Sequence, residues 1–209
     1  MNAWWRRGNA STNFSPPWDA KVPVREELFG PERLEQHAQS LALAQPITSR
    51  PPDVLPLHQR LHDNTVALEK AYRSIANEVA HRRSVVPAAE WLLDHYHHVE
   101  KHVSDIVEDL PPGYYRQLPK LADGPFAGYP RVFGLTWAYV AHTDSHFDPH
   151  TLTRFIEAYQ RVEPLTIGEL WAIAISLRLV LVENLRRLSD QIVRAREARA
   201  EADALCEQL

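Results

Sequence analysis

Apolar side chains recur at alternating steps of three and four residues along two stretches of the chain, which is the spacing of one helix face. The first stretch follows a Pro-rich linker at 49–53, and its positions are Leu57, Leu61, Thr65, Leu68, Tyr72, Ile75 and Val79. The second begins at Pro87, and its positions are Leu92, Tyr96, Val99, Val103, Ile106 and Leu110. Because only a short break at 82–86 separates them, the pattern predicts two long helices packed antiparallel.

Proline and capping residues predict where other helices begin and end. Pro31 opens a short helix that ends before Pro46. Asp148-Pro149 is a helix cap followed by proline at the first helical position. Thr166 and Glu169 have the spacing of a capping box, in which each side chain satisfies the other's backbone N–H. The last helix is therefore expected to start beside them.

The residues after the second long helix have three different patterns. Residues 111–130 are rich in proline, glycine and tyrosine, which predicts an ordered loop with one helical turn near 114–118. Residues 131–141 are apolar almost all round, which favours a buried helix, although the length also permits a strand. Glycine and proline are absent after Gly168, which predicts a continuous last helix of roughly 60 Å.

Together these elements predict an all-α fold, an irregular helical bundle with a long C-terminal helix and an irregular N-terminal arm. The arm covers 1–25, where Trp4, Trp5, Phe14 and Trp18 show no period. The helical domain covers 26–193. Residues 194–209 carry mostly Ala, Arg and Glu and form the exposed charged end of the last helix. A helix that runs to the last residue is expected where the natural protein continues.

Charge, cysteine usage and hydropathy argue against several classes of protein. The 209 residues include 23 basic and 27 acidic side chains, and the net charge of -4 favours no nucleic-acid partner. The single cysteine, Cys206, permits no disulfide framework and no Cys-rich zinc module. The N-terminus lacks the apolar run of a secretory signal. The longest apolar region, 170–182, is shorter than the roughly 20 residues of a membrane-spanning helix.

A histidine-rich segment at 94–102 is the first candidate for chemistry. On a helix, His95, His98 and His102 share one flank, and this spacing permits two imidazoles to converge on a metal. His97 points elsewhere. The competing interpretation, a solvated helix face, is favoured because the further ligands of a metal site cannot be assigned to another element.

A second segment, 142–150, places a metal-binding side chain at every second position: His142, Asp144, His146, Asp148 and His150. In an extended chain all five would lie on one face and could hold a metal or a phosphate. The structural alternative is again favoured. In that interpretation the last aspartate caps a helix and the first caps a turn.

Aromatic side chains around the 111–130 loop form a third candidate, of the kind that holds a sugar ring or a nucleotide sugar. The candidate ligand- or interface-binding residues are Tyr114, Tyr115, Arg116, Tyr129, Arg131, Trp137, His142 and Asp144. The favoured alternative is that the tyrosines fasten the loop to the core through their hydroxyls. In the last helix, Arg178 is expected to be buried against a carboxylate, and Glu183 with Arg187 is interpreted as an ordinary helix pair.

Catalytic signatures are absent from the sequence. It has no Gly-x-Ser-x-Gly, no Gly-rich phosphate loop, no Cys-His nucleophile pattern and no paired Asp-x-Asp on an apolar strand. We therefore predict no catalytic residue, no metal site and no cofactor in this chain.

Several longer strings are specific enough to suggest a family. They are ELFG at 27–30, ERLEQHA at 32–38, PAAEWLLD at 87–94, DLPPGYYRQLPKL at 109–121, GYPRV at 128–132, AHTDS at 141–145, QRVEPLTIGELW at 160–171 and LVENLRRL at 181–188. Through them, from about Arg25 to Arg199, the chain closely resembles the N-terminal region of bacterial cyclic β-1,2-glucan synthases. The resemblance places family motifs on His97, His142, Asp144 and Asp148, and it leaves His95, His98, His102, His146 and His150 outside them.

The resemblance implies a helical cytosolic segment of a very large inner-membrane protein. Downstream of it, a membrane-embedded glycosyltransferase would use UDP-glucose, with Mg²⁺ as the implied cofactor, and a phosphorylase-like domain would trim chain length. We therefore expect a non-catalytic scaffold on the cytoplasmic side of the inner membrane. Its expected partners are the transferase and membrane domains of the same polypeptide, and the long helix permits self-association. The alternatives are a glucan- or nucleotide-sugar-binding module and, third, a stand-alone helical metal-binding protein.

Overall fold

A computed structural model describes residues 21–81 and 86–206. Most of the expected N-terminal arm and most of the break between the two long helices lie outside the described residues. The helices are α1 Pro31–Ala44, α2 Leu57–Ala80, α3 Pro87–Asp109, α4 Pro112–Gln117, α5 Arg131–Thr143, α6 Pro149–Gln160 and α7 Ile167–Cys206. Two short strands, β1 Ile47–Thr48 and β2 Lys120–Leu121, pair antiparallel. The predicted all-α fold with a long C-terminal helix is confirmed.

The long helix α7 is the element on which α2, α3 and α5 pack. Helices α2 and α3 also pack on each other, as their apolar faces predict. Helix α1 packs against α6 and contacts α5. Glu35 of α1 accepts hydrogen bonds from Arg154 at 2.6 Å and from Arg161 at 3.0 Å, so charged groups reinforce the apolar contact between α1 and α6.

The buried face of α2 differs in part from the predicted one. Val79 is exposed and Thr65 is only partly buried, although both lie on the predicted face. Asn64 and Ala71 are buried instead. The amide of Asn64 donates to the carboxylate of Glu183 on α7 at 2.8 Å. A polar side chain can occupy this buried position because that hydrogen bond satisfies it.

Residues Arg131–Thr143 form the helix α5, which excludes the strand alternative. The helix is buried from its first residue to His142. A helix that is apolar all round needs partners on every side. Helices α7 and α1 supply two of them, and the preceding loop supplies another. A Cβ at Gly134 would lie 3.2 Å from a methyl group of Leu121, so the glycine permits the close approach of that loop.

The loop that precedes α5 is fastened to the Pro-rich linker before α2. The pairing of β1 with β2 joins their ends. Gly128 has a φ of +84°, and a Cβ at this position would lie 2.7 Å from the carbonyl oxygen of Pro52. Only glycine fits here without a shift of the backbone. The loop and the linker therefore form one layer at the start of α5.

Candidate functional site

The eight predicted site residues do not meet in one place. Tyr129 and Arg131 lie at the start of α5, His142 and Asp144 lie at its end, and Trp137 lies between them. Arg131 and His142 are 11 residues apart, which is about 16 Å along a helix axis. The structure therefore brings the candidates together as two groups at opposite ends of one buried helix.

The first group centres on Arg131. Its side chain is 3% exposed, and Nε and Nη2 donate to the two carboxylate oxygens of Glu169 on α7 at 2.5 and 2.9 Å. Nη2 also donates to the carbonyl of Pro164 at 2.8 Å, and Nη1 donates to Glu163 at 3.3 Å. This planar, bidentate geometry is the one in which guanidinium binds carboxylate most strongly. Arg131 thus joins the start of α5 to the start of α7.

Glu169 has a second role as half of the predicted capping box. Its carboxylate accepts from the backbone N–H of Thr166 at 2.9 Å, and its own N–H donates to the Thr166 hydroxyl at 3.2 Å. Burial alone would raise the pKa of Glu169, but the hydrogen bonds from Arg131 and Thr166 outweigh it, and the pKa is lowered. The carboxylate is therefore held in its charged form by groups of this chain.

Two of the candidate tyrosines donate their hydroxyls to backbone carbonyls. Tyr114 donates to Gly168 at 2.5 Å and Tyr129 donates to Leu55 at 2.6 Å. Burial raises the pKa of Tyr129 to about 12, so its hydroxyl stays protonated as a donor. These contacts support the structural interpretation of the tyrosines, in which they fasten loops to the core.

The other candidates of this region, Tyr115, Trp137 and Arg116, differ in how exposed they are. The ammonium of Lys120 lies 3.5 Å from the centre of the Tyr115 ring and donates to the Tyr115 carbonyl at 2.6 Å. Burial lowers the pKa of Lys120 to about 8 and raises that of Tyr115 to about 12. Trp137 is buried, with the guanidinium of Arg187 5.2 Å from its ring centre. Arg116 is exposed at the end of α4.

The second group forms around His142 at the end of α5. Its ring stacks on Phe29 at 4.0 Å, and Nδ1 donates to the carbonyl of Glu27 at 2.7 Å. The ring of His37 on α1 meets it edge-on at 4.7 Å, and burial lowers the pKa of His37 to about 4. Asp144 pairs with Arg25 at 3.3 Å. Both family-motif side chains therefore hold the segment 24–29 against the end of α5.

The extended interpretation of residues 142–150 is wrong. His142 belongs to a helix, and Asp144 and Ser145 adopt the left-handed conformation, with φ of 52° and 63°, which ends α5. Asp148 accepts the N–H of Thr151 at 2.7 Å and caps α6, as predicted. Helical and left-handed backbone turns side chains away from a common face. Within the described residues, no group of three or more metal-binding side chains is arranged around one point.

The histidines of α3 occupy a solvated face, as favoured from the sequence. His97, His98 and His102 are exposed, and His95 is half-buried under the stacked ring of Trp91 at 4.6 Å. The charge of His97, whose ring lies 4.0 Å away, lowers the pKa of His98. Like charges this close disfavour simultaneous protonation.

His97 is the α3 histidine that the family motif includes, and it faces a second helix. It lines a cleft of about 370 Å³ together with Glu69, Tyr72 and Arg73 of α2 and, among others, Glu100 of α3. The cleft carries charges of both signs above the stacked rings of Tyr72 and Tyr96, whose centres are 4.3 Å apart. This polar edge of the α2 and α3 pair would not attract ions of one sign.

A buried charge cluster on α7 was missed by the sequence interpretation. Glu183 and Arg187 are each 2% exposed, so they are not an ordinary surface pair. Glu183 accepts hydrogen bonds from Arg187 at 2.8 Å, Arg60 at 2.7 Å, Asn64 at 2.8 Å and Arg186 at 3.0 Å. Two features of the sequence could have indicated this cluster. Glu183 lies inside an apolar stretch, and Arg60 and Asn64 are polar residues four positions apart on the side of α2 that faces α7.

This cluster, which we call the Glu183 cluster, joins three parts of the chain. Burial alone would raise the pKa of Glu183, but the charges of Arg60 and Arg187 outweigh it and the pKa is lowered. Arg187 also donates to the carbonyl of Val22 at 2.9 Å. By contrast, Arg178 pairs with Asp109 at 3.1 Å in a half-exposed position, so its carboxylate partner was predicted correctly but its burial was not.

Comparison with known proteins identifies a relative. No protein-family model matches the chain. The cyclic beta-(1,2)-glucan synthase NdvB of Rhizobium meliloti is 40% identical over 193 residues, which make up 91% of this chain. This chain is similar to one small part of a cyclic β-(1,2)-glucan synthase. The resemblance inferred from the sequence strings, to the N-terminal region of such a synthase, is thereby confirmed.

The match to the synthase covers a small part of that protein. The aligned region is 7% of the length of NdvB, so this chain spans a small fraction of the curated relative. Among the described residues, no helix is both long enough and apolar enough to cross a membrane. The side chains of both groups around α5 belong to this matched region, and their contacts within the chain are structural.

Proposed function

We propose that this chain is a non-catalytic helical scaffold domain of a cyclic β-(1,2)-glucan synthase, on the cytoplasmic side of the inner membrane. Similarity to NdvB supports the assignment to a synthase. One observation carries the scaffold role. The candidate side chains Tyr114, Tyr129, Arg131 and His142 are bonded within the protein, whereas an apolar surface at the start of α7 is exposed.

That surface, the α7 apolar face, consists of Ile167, Leu170 and Trp171. Trp171 is 73% exposed and Ile167 is 70% exposed. Positions separated by three and four residues share one side of a helix. Exposed tryptophan beside aliphatic side chains is the composition of the central part of a protein interface. We propose that this face packs on the downstream transferase or membrane domains of the same polypeptide.

Under this proposal, the substrate and the cofactor bind other parts of the synthase. UDP-glucose and Mg²⁺ would bind the transferase. A magnesium site takes oxygen ligands, chiefly carboxylates. The carboxylates nearest to the predicted site, Glu169 and Asp144, are instead paired with Arg131 and Arg25. These two carboxylates therefore do not fit a Mg²⁺ site, and no catalytic step is assigned to them.

Replacing Trp171 by glutamate in a synthase that contains this domain tests the scaffold role. We expect glucan formation to fall about tenfold, the loss that corresponds to about 1.4 kcal/mol of one aromatic interface contact. Leu43→Glu is the matched control because Leu43 is also an exposed aliphatic side chain, 70% exposed, on α1. The control should retain most of the activity. Radioactive glucose incorporation measures both, and circular dichroism checks that the isolated domains remain folded.

Two results would contradict the proposal. The first is equal activity of the Trp171→Glu and Leu43→Glu synthases. The second is release of UDP from UDP-glucose by the isolated chain above the background of a mock preparation. Either result would assign this chain a role other than a scaffold.

A second candidate, a carbohydrate-binding module, rests on Arg116. Its side chain is exposed on α4 beside the half-buried rings of Tyr114 and Tyr115. Under the scaffold proposal, a titration with β-1,2-gluco-oligosaccharides to millimolar concentration should leave the backbone NMR shifts of 112–117 unchanged. Saturable shifts there that disappear in Arg116→Ala, but persist in the exposed control Arg50→Ala, would favour the binding module instead.

A further inference from the structure

An apolar groove of about 690 Å³ lies between the start of α3 and the C-terminal half of α7. On the α3 side its lining includes Trp91, which is 53% exposed. On the α7 side, six lining residues follow one another at alternating steps of four and three: Leu181, Leu185, Leu188, Ile192, Ala195 and Arg199. None of these six side chains is buried. Helix α7 therefore presents an uncovered stripe along the groove.

The spacing of this stripe is that of a helix that packs along another helix. Alternating steps of four and three are the seam positions of a coiled coil, where each side chain fits between side chains of the partner helix. From Leu181 to Arg199 the stripe extends about 27 Å along the helix axis. Polar lining residues flank the seam, with Asn184 and Gln191 on one side and Ser189 and Arg196 on the other. An apolar seam between polar flanks matches an amphipathic helix as occupant.

The groove carries positive charge at the end nearest the C-terminus of α7. Of the described residues that line it, Arg196 and Arg199 are basic and none is acidic. Arg196 pairs with Glu78 of α2 at 3.0 Å, which holds its guanidinium at the rim, and the side chain of Arg199 is exposed. Charges beside the seam of a helix pair select the charge of the partner. The α7 stripe of a second copy would bring two further arginines and no carboxylate, so the charge favours a different helix.

We propose that this groove binds an acidic amphipathic helix of a partner, with leucines at heptad spacing in the groove and carboxylates against Arg196 and Arg199. The apolar contact with Trp91, Leu185 and Leu188 supplies the affinity, and the two arginines select the charge of the partner. The groove is separate from the α7 apolar face, so the proposal does not depend on the scaffold role.

Two synthetic peptides test the chemistry of the partner against the full chain. The acidic probe has three heptads of Leu-Ala-Ala-Leu-Glu-Glu-Glu, and the basic probe has lysine in place of each glutamate. In fluorescence anisotropy we expect the acidic probe to bind with a Kd on the order of 10 µM and the basic probe to bind at least about tenfold more weakly. A shift of the Trp91 indole N–H signal in NMR spectra should locate the acidic probe in the groove.

Variants of the groove give a readout that a folding defect does not imitate. Arg199→Glu should bring the affinities for the two probes to within about twofold of each other, since it removes one of the two selecting charges. Arg194→Glu is the matched control, because Arg194 is exposed on the same helix but lies outside the groove lining, and it should keep the native preference. Leu188→Asp should remove binding of both probes because it puts a charge into the apolar contact, whereas Leu43→Asp on α1 should not.

Four results would overturn the proposal. Absence of saturable binding of the acidic probe up to about 1 mM would show that the groove does not take such a helix. Equal affinity of the native chain for both probes would show that charge does not select the partner. A dimer in sedimentation equilibrium that Leu188→Asp converts to monomer would assign the groove to a second copy. Binding to phosphatidylglycerol vesicles that Leu188→Asp removes would assign it to a membrane surface.

Discussion

Replacing Glu183 by alanine is expected to lower the free energy of unfolding by about 3–5 kcal/mol, the cost of removing one partner from a buried ion pair. Its carboxylate accepts from Arg60, Arg186 and Arg187. Without it, Arg60 and Arg187 lose this carboxylate partner and three guanidinium groups lie close together, while Arg186 keeps its ion pair with Asp190 at 2.6 Å. Urea unfolding followed by circular dichroism measures the change.

Two controls separate charge from volume in this experiment. Glu197→Ala removes an exposed carboxylate from the same helix, and its effect should lie within about 0.5 kcal/mol. Glu183→Gln keeps the shape and one acceptor oxygen but removes the charge and the second acceptor oxygen, so its loss should be intermediate. A loss below about 1 kcal/mol for Glu183→Ala would show that the Glu183 cluster contributes little to stability.

The second large effect is expected from Arg131→Met, which should also cost about 3–5 kcal/mol at neutral pH. Methionine fills a similar space but supplies no partner for Glu169, whose side chain has no exposed surface. Helix α5 would then lose its charged contact with the start of α7. Arg178→Met is the matched control, because its ion pair with Asp109 is half-exposed and should be worth less than about 1 kcal/mol.

The pH dependence of the Arg131→Met destabilisation tests the coupling of Arg131 to Glu169 more specifically than the size of the destabilisation at neutral pH does. In the native protein the pKa of Glu169 is lowered, because hydrogen bonds from Arg131 and Thr166 outweigh burial. Its stabilisation is therefore present above the usual pKa of 4.5 and is lost as pH falls through the lowered value. In the variant, burial is no longer balanced by the cation, so the pKa of Glu169 should rise above 4.5.

The contribution of the Glu169 carboxyl to stability at neutral pH therefore has opposite signs in the native protein and in the variant. A carboxyl whose folded pKa is raised destabilises the protein at neutral pH and is relieved when it gains a proton. The difference in unfolding free energy between native protein and variant should therefore shrink as pH falls from 7 towards 4. The Arg178→Met difference should change little over this range. A constant Arg131→Met difference across these pH values would contradict the proposed coupling of Arg131 to Glu169.

Local features of the chain were predicted well because their causes are local. Pro31, Pro87 and Asp148-Pro149 fix where helices begin, since proline suits the first turn and aspartate accepts a nearby N–H. The capping box at Thr166 and Glu169 depends on contacts only three residues apart. Such interactions can be inferred from spacing alone.

For residues 142–150 the favoured structural interpretation is confirmed at Asp148, which caps α6, and the extended alternative is wrong for a related reason. Alternating His and Asp would share a face only in extended backbone. Here α5 continues through His142, and two left-handed residues, Asp144 and Ser145, end it. The backbone state depends on how α5 is buried and on the contact with segment 24–29, and neither is encoded in the spacing of the side chains.

The sequence by itself determined the all-α class, the helix starts, the burial of 131–141 and the resemblance to glucan synthases, because periodicity, caps and specific strings are properties of neighbouring residues. Only the tertiary structure decided the partners of the charged groups. Arg131 with Glu169 and Arg60 with Glu183 join residues 38 and 123 positions apart. A carboxylate in the sequence can be solvated, catalytic or buried in an ion pair, and packing of distant helices determines which of these it becomes.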